Sequence, residues 1–338
     1  MAITRKDVAR LAGVSTATVS NVLNNSDKVK EETAERVREV IKQLNYYPNM
    51  VARSLSTKRT MQVAIVLEDI ANPFFAEIAS DFGAAAEKKG YFVNICMGLN
   101  KLDEYFEDFK SRGMDGVFVT ALPHKFDVNK LYQLVDSGIY VVTSGNEEID
   151  TRKISSIEND HENGLQKVME YLYGLGHRKI AYLSGLGKEL SNDCRCKIYL
   201  KNLENLGLDY GDRLLVDGKY PYTTTMKDGF QGAKQLLESQ KTFTAVICSN
   251  DMMAIGAICA LEESGLRIPE DVSVIGMDGT DISRYCRPSL TTLEVSKGLG
   301  RKAFELLYGN MIHGNVGYYK NNVELIVRES TAEARGLR

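Results

Sequence analysis

The chain has 338 residues, of which 43% are hydrophobic and 26% charged, the composition of a soluble globular protein of two or three domains. It contains no apolar run of about 18 residues and no cleavable leader pattern, which excludes a membrane-spanning or exported protein and predicts a cytoplasmic one. The net charge of −3 is unevenly distributed: residues up to Thr60 include 11 basic and 6 acidic residues, whereas the rest of the chain includes 31 basic and 39 acidic residues. This asymmetry indicates that the first part binds a polyanion.

The chain begins with two short predicted helices. Thr4 is placed to cap the first, over residues 5–11, and Gly13 supplies the left-handed residue that ends it. Ser15 is placed to cap the second, over residues 16–24. Two helices separated by a glycine turn are typical of a helix-turn-helix. The buried face of the first helix is predicted to consist of Val8, Leu11 and Ala12.

A third helix is predicted over residues 31–44, and a short hinge segment (residues 48–60) follows it. The helix has an apolar stripe at three- and four-residue spacing, although Lys30 offers no side-chain cap. Pro48 interrupts the chain because it fixes its own φ and lacks an N–H. The residues after it are compatible with a helix that is too short to be stable alone in water, so this segment needs a partner to fold.

The long remainder alternates short apolar strands with amphipathic helices in two consecutive series. Repeated β-α units predict parallel sheets covered on both faces, and two series predict two similar lobes. The expected fold is an all-α helix-turn-helix head joined to an α/β core of two doubly wound parallel-sheet lobes. The expected boundaries are a head at 1–47, the hinge segment at 48–60 and a core at 61–338, with a first lobe at about 61–158 plus 292–321 and a second at about 159–291 plus 322–334.

Longer sequence motifs in the head resemble those of a known family. They read ITRKDVARLAGVS at residues 3–15, ATVS at 17–20, VLN at 22–24 and YPN at 47–49. Together they resemble the head of the LacI/GalR family of bacterial transcription regulators over essentially the first 60 residues. The resemblance implies that the second helix enters the major groove of DNA, with its first turn at the base edges.

The resemblance also implies particular DNA contacts. Thr16, Ala17 and Asn21 are expected to read bases, and asparagine at 21, where the family usually has arginine, suits the edge of adenine. The alternative for Asn21 is a solvent-facing helix residue. Other contacts, chiefly to phosphate oxygens, are expected from Thr4, Ser15, Thr18, Ser20 and Asn24.

In the hinge segment, the resemblance implies that two copies pair in the minor groove of DNA. Leu55 is then expected to wedge between base pairs and kink the duplex, while Asn49 and Ala52 permit close packing. The alternative for Leu55 is a packed linker residue.

The core contains further sequence motifs that resemble the same family, such as NPFFAEI at residues 72–78, GLGHR at 174–178, IPEDVSVIG at 268–276 and PSLTT at 288–292. They resemble its effector-binding part, which is similar to periplasmic sugar-binding proteins. Ligands of such folds bind between the lobes, at the carboxyl ends of the strands. The resemblance places the effector against Phe74, Phe75, Arg195, Tyr220, Asn250 and Asp278, with Tyr222 an equal choice for Tyr220.

Each of these positions has a plainer alternative. The phenylalanines could serve core packing, Arg195 a surface ion pair, and Asp278 a turn next to Gly279. The chain also departs from the family at residues 140–146, which read YVVTSGN without the usual charged pair, and at Ile198, where glycine is usual. The pocket is therefore expected to bind a less polar ligand, a smaller sugar, or no ligand, in which case a partner protein carries the signal.

Neither an enzyme nor a metal site is predicted. The chain lacks a P-loop, a complete dinucleotide fingerprint and a nucleophile triad, and its six cysteines and four histidines lack zinc spacing. No cofactor is expected. The prediction is a homodimeric repressor of a sugar catabolism or transport operon that binds double-stranded operator DNA and a small-molecule effector such as a sugar or sugar phosphate. A dimer is favoured over a tetramer because no leucine heptads occur near residue 338.

Overall fold

The computed structural model describes residues 3–23, 28–47, 54, 59–122, 126–145, 149–185, 194–208, 215–216 and 223–335. The chain divides into two compact units, Met1–Thr60 and Met61–Arg338. Within the ranges above, no helix is both long enough and apolar enough to cross a lipid bilayer.

The head contains α1 (Arg5–Ala12), α2 (Thr16–Leu23) and α3 (Glu31–Gln43), so the three predicted helices are confirmed. Gly13 ends α1 in the left-handed conformation, with φ 64°. The predicted buried face of α1 is wrong at one position, because Leu11 is 55% exposed and Ala9 is buried instead. The residues that form the core of the head are Val8, Ala9, Ala12, Val19, Val22, Ala34, Val37, Val40 and Tyr46.

The first half of the core alternates strands and helices as predicted, and it ends with one further strand that was not predicted, Ser155–Asn159. Its elements are β1 (Gln62–Leu67), α4 (Pro73–Glu87), β2 (Phe92–Met97), a 3-10 turn (Leu99–Lys101), α5 (Leu102–Arg112), β3 (Gly116–Val119), α6 (Asn129–Asp136), β4 (Tyr140–Ser144) and β5 (Ser155–Asn159).

The second half continues the same alternation. Its elements are α7 (His161–Gly174), β6 (Ile180–Leu183), α8 (Cys194–Asn205), β7 (Leu215–Val216), α9 (Met226–Glu238), β8 (Ala245–Cys248), α10 (Asp251–Glu263), β9 (Ser273–Asp278), α11 (Asp281–Tyr285), β10 (Thr291–Glu294), α12 (Leu299–His313), β11 (Tyr318–Asn321) and β12 (Glu324–Ile326).

The strands form two six-stranded sheets, one in each lobe. The first has the order β11-β5-β4-β3-β1-β2 and its pairings are parallel. The second has the order β12-β10-β9-β8-β6-β7, in which β12 runs antiparallel to β10 and the other pairings are parallel. Both sheets are covered on their two faces, which explains the nearly continuous apolar strands.

One expected boundary is too early. The sequence pattern predicts that the chain returns to the first lobe at about residue 292, but Thr291–Glu294 pairs with β9 in the second sheet. The return occurs in the stretch that leads to α12, whose apolar face packs in the first-lobe core through Leu299, Phe304 and Leu307. A short strand pattern does not reveal which sheet it joins, because that depends on pairing partners far along the chain.

Candidate functional site

The exposed start of α2 is the part of the head that the sequence predicts to meet DNA. The hydroxyl oxygen of Ser15 accepts the backbone N–H of Thr18 at 3.0 Å, which caps this helix as predicted. Thr16 and Ala17 are exposed, and Asn21 is half-buried. The opposite face of α2 is buried in the head, so these three side chains lie on the face that remains accessible to a partner.

Two other predicted DNA contacts are engaged within the head. The N–H and the hydroxyl of Thr4 donate to the carboxylate of Asp7 at 3.0 and 2.6 Å, and these bonds lower the pKa of Asp7. The hydroxyl of Ser20 accepts a hydrogen bond from the guanidinium of Arg5 at 3.5 Å. Both residues therefore help to fix the helices, and their contacts with DNA stay predictions. The predicted contacts Asn24, Asn49, Ala52 and Leu55 lie outside the described residues.

In the core, Phe74 and Phe75 lie in the first turn of α4. The side chain of Asn72 caps this turn by accepting the N–H of Phe74 at 3.1 Å, and Pro73 occupies the first helical position. The two rings meet edge to face, with centroids 5.1 Å apart. Phe74 packs against the apolar clusters of both lobes, so it is a boundary residue and not simply a core residue of the first lobe.

Arg195 approaches the end of β8 in the second lobe. One guanidinium nitrogen, Nη1, donates to the carbonyl oxygen of Ser249 at 2.8 Å. Ser249 is buried and joins the ends of two strands, because its hydroxyl donates to Leu183 and accepts the N–H of Gly185, both at 2.9 Å. Arg195 is therefore anchored to backbone at the edge of the sheet, and its contact with an effector stays a prediction.

Asn250 is 5% exposed and caps α10. Its side-chain oxygen accepts the N–H of Met253 at 2.8 Å, and its amide nitrogen donates to the carbonyl oxygen of Thr224 at 2.9 Å. Both ends of the amide are thus held by backbone. Asn250 connects the starts of two helices at the site, and its contact with effector hydroxyls stays a prediction.

Asp278 ends β9 with a buried carboxyl group. It is 7% exposed, its Oδ2 has no hydrogen-bond partner among the residues that the structure describes, and its φ of 151° is uncommon for a residue with a side chain. Burial, followed by the charge of Asp251, raises the pKa of Asp278 well above its usual value, while the nearby charge of Arg195 acts in the opposite direction. A buried carboxyl oxygen without a partner is costly unless a ligand satisfies it, so Asp278 is the strongest sign of a binding site.

Asp251 is buried, and its charge is close enough to raise the pKa of Asp278, but no sequence pattern assigned it a role. Its carboxylate accepts the N–H and the hydroxyl of Thr280, at 2.9 and 2.8 Å, and the hydroxyl of Thr292 at 2.5 Å. Burial raises the pKa of Asp251, and these hydrogen bonds oppose that effect. Its signal in the sequence was a pair of polar residues, Asn250 and Asp251, directly after an apolar strand.

The second-lobe residues share one edge of their sheet. Arg195 contacts the end of β8, Asn250 follows β8, and Asp278 ends β9, which is the neighbouring strand. The carboxyl ends of parallel strands are where ligands bind in open α/β sheets. The structure thus brings together three of the predicted residues, with Phe74 at the lobe boundary. Tyr220 and Tyr222 lie outside the described residues.

Two family models match the chain. Bacterial regulatory proteins of the lacI family match residues 4–49, and the periplasmic binding protein-like domain matches residues 169–331. The transcriptional repressor PurR of Mannheimia succiniciproducens is 35% identical over 334 residues, which cover 97% of this chain and 98% of that protein. PurR of Haemophilus influenzae is 34% identical over 337 residues, with the same coverage.

Solved structures show the same relationship. A Lac repressor dimer bound to operator and an anti-inducer superposes with a TM-score of 0.82 at 28% identity, over 98% of this chain and all of that one. The regulator CelR in complex with cellobiose has a TM-score of 0.71 at 28% identity, over 97% of this chain and 99% of that one. The predicted fold class and family are thereby confirmed. The chain belongs to the LacI family of bacterial regulatory proteins, and it is a DNA-binding transcriptional repressor.

Proposed function

We propose that this repressor acts in the cytoplasm as a homodimer on a near-palindromic operator and that a small molecule in the cleft between its lobes controls it. The main support for an effector site is the buried carboxyl oxygen of Asp278 at the carboxyl end of β9, which has no hydrogen-bond partner among the described residues. A binder of this kind regulates by shifting the balance between two arrangements of its lobes, so no catalytic step is required. The genes under its control are proposed to serve uptake or breakdown of a small metabolite.

The effector is proposed to be a ring with polar edges and an apolar face. Phe74 offers an aromatic surface at the boundary between the lobes, and Asp278 and Arg195 offer an acceptor or donor and a cationic donor at the sheet edge. A sugar fits this description, and CelR binds cellobiose. A purine base is the second candidate, because its ring nitrogens pair with a carboxyl and a guanidinium and because the relatives are named PurR.

Asp278→Asn is expected to abolish stabilisation by the effector. The amide keeps the size of the side chain but exchanges a carboxyl oxygen for an N–H₂ donor, which mismatches a ligand that pairs with the carboxyl. Thermal melting of the full chain with cellobiose, ribose, sugar phosphates and purine bases identifies the ligand from a rise in Tm. The variant should lose that rise.

The matched control is Asp136→Asn, at the end of α6 in the first lobe, where the side chain is exposed. It should respond to the ligand like the wild type. If no compound raises the Tm of the wild type while an added bacterial protein changes its affinity for operator, control by a partner protein replaces control by a small molecule.

Asn21→Arg is expected to change the preferred base at one position of each half-site from adenine to guanine. Asparagine pairs with the N6 and N7 atoms of adenine, whereas arginine pairs with O6 and N7 of guanine, and each such pair discriminates by about 1–3 kcal/mol. Selection of operators from a random DNA pool, with wild type and variant side by side, measures this preference. The same preferred bases for both proteins would show that Asn21 reads no base.

The homodimer is supported by an apolar edge on the first lobe. Strand β2 lies at the edge of its sheet, and its Phe92, Ile95 and Met97 are 68%, 51% and 49% exposed. Ile95 and Met97 lie on one face of the strand and Phe92 on the other, and exposed large apolar side chains on an edge strand mark a surface for association. A second copy of the chain is the proposed occupant, as in the Lac repressor dimer that this fold matches. Two heads in one dimer would then read two half-sites.

A further inference from the structure

One carboxylate of the first lobe accepts hydrogen bonds from a second-lobe backbone N–H and from a hydroxyl in the stretch that connects the lobes. Glu77 lies on α4, one turn beyond Phe74, and is half-buried. Its Oε1 accepts the backbone N–H of Asp281 at 3.0 Å, and its Oε2 accepts the hydroxyl of Ser296 at 3.1 Å. Hydrogen bonds to a charged acceptor are stronger than those between neutral groups. This pair of bonds therefore joins the lobes directly.

Both donors are attached to the turn that carries Asp278. Asp281 begins α11, three residues after Asp278. The backbone N–H groups of Val295 and Ser296 both donate to the carbonyl oxygen of Asp278, at 3.0 and 3.1 Å. Because Glu77 binds on both sides of this turn, it fixes where Asp278 stands relative to α4, the helix that carries Phe74.

Ser296 also lies in a stretch that passes from one lobe to the other. Strand β10 ends at Glu294 in the second sheet, and α12 begins at Leu299 and packs in the first-lobe core. Domain closure in two-lobed proteins takes place by rotation in such connecting stretches. A rotation that separates α4 from this stretch must break the bonds of Glu77.

The charge of Glu77 acts on Asp278 as well. Burial is the main cause that raises the pKa of Asp278, the charge of Asp251 is the next, and the charge of Glu77 acts in the same direction. The carboxyl groups of Glu77 and Asp278 are thus close enough to influence each other. A molecule that binds Asp278 is therefore also exposed to the negative charge of the Glu77 carboxylate.

We propose that Glu77 is a positioning residue that clasps the two lobes beside the effector site and sets the place of Asp278 against the first lobe. It acts through Asp281 and Ser296 and does not itself touch the effector. Its consequence for effector control rests on the proposed function, whereas the clasp is a property of the protein alone and is measured without ligand.

The test compares hydrogen exchange of the full-length wild type, E77A and E77Q by mass spectrometry. E77A loses both acceptors, so the amide of Asp281 is expected to exchange about tenfold faster or more. E77Q keeps one carbonyl acceptor and should lie between E77A and the wild type. The matched control is D81N, on the exposed side of the same helix, which should exchange like the wild type. Thermal melting of each variant separates local opening from loss of the whole fold.

A double-mutant cycle with S296A makes the test specific. S296A alone should accelerate exchange at α11, because it removes one of the two donors, whereas in the E77A background it should add nothing. Unchanged exchange in E77A, or independent effects of E77A and S296A, would overturn the clasp. S296A also serves as the second variant if E77A fails to fold. Absence of operator binding by the wild type would overturn the proposed function and leave these exchange rates unaffected.

Discussion

Gly229→Ala is expected to lower the free energy of unfolding by about 3 kcal/mol, because a β-carbon has no room at that position. Helices α9 and α10 pack with their backbones in contact. A β-carbon on Gly229 would overlap the carbonyl oxygen of Met253, and one on Gly256 would overlap that of Met226. A backbone carbonyl cannot rotate aside as a side chain can, so the two helices would have to separate.

The separation would reach the candidate site. Helix α10 is capped by Asn250 and carries Asp251 in its first turn, so its displacement loosens the support of Asp278. Urea unfolding followed by circular dichroism measures the loss as a lower midpoint at an unchanged slope. Effector-induced stabilisation, measured by thermal melting, should weaken in the same variant.

Gly232→Ala is the matched control, one turn further along α9. The nearest atoms to a β-carbon there are side-chain ends, of Leu183 at 3.6 Å and of Val216 at 3.8 Å, and these are ordinary contacts. Alanine also favours a helix over glycine by up to about 1 kcal/mol. The control should be as stable as the wild type or more stable. Equal midpoints for Gly229→Ala and Gly232→Ala would show that the helices tolerate the extra atom.

Ile95→Asp is expected to convert the proposed dimer into a monomer and to weaken operator binding by about a hundredfold or more. Ile95 is 51% exposed on the edge strand β2, and Met97 lies on the same face of this strand. A carboxylate at the centre of an apolar interface must be desolvated without a partner, which strongly opposes association. Loss of the dimer removes the gain in affinity that comes from binding two half-sites at once.

Sedimentation velocity at micromolar concentration measures the change in mass, and gel retardation with a full operator and a single half-site measures the change in affinity. The half-site should bind the variant and the wild type alike. The matched control is Tyr318→Asp on β11, at the opposite edge of the same sheet, where the tyrosine is 53% exposed. An Ile95→Asp protein that remains dimeric would exclude the β2 edge as the interface.

The head shows how far local chemistry carries a prediction. Gly13 ends α1 because it adopts a left-handed φ, and Ser15 caps α2 through its own hydroxyl, so both helix ends follow from neighbouring residues. Neighbouring residues did not determine which face of α1 is buried. Leu11 and Ala9 both fit an apolar face, and the packing of α2 and α3 buries the smaller Ala9 while Leu11 remains exposed.

At the candidate site, too, some features were predictable from the sequence and others were not. The family resemblance places Asn250 and Asp278 in the effector site at the carboxyl ends of strands, and in the structure Asn250 follows β8 and Asp278 is the last residue of β9. The unpartnered oxygen of Asp278 and the network of Asp251 did not follow, because they depend on how closely β9, β10 and α10 pack. Nor did the clasp, which joins Glu77 to Ser296 across 219 positions of the chain.

By itself, the sequence determined the family, the alternation of strands and helices, and the residues that cap them, because each of these depends on residue types at short spacing. The tertiary structure alone decided which sheet Thr291–Glu294 joins, which side of α1 is buried, and that Oδ2 of Asp278 has no hydrogen-bond partner among the described residues. These outcomes depend on contacts between segments that are distant in the chain. Short-range patterns carry no information about such contacts, and packing selects among the arrangements that those patterns allow.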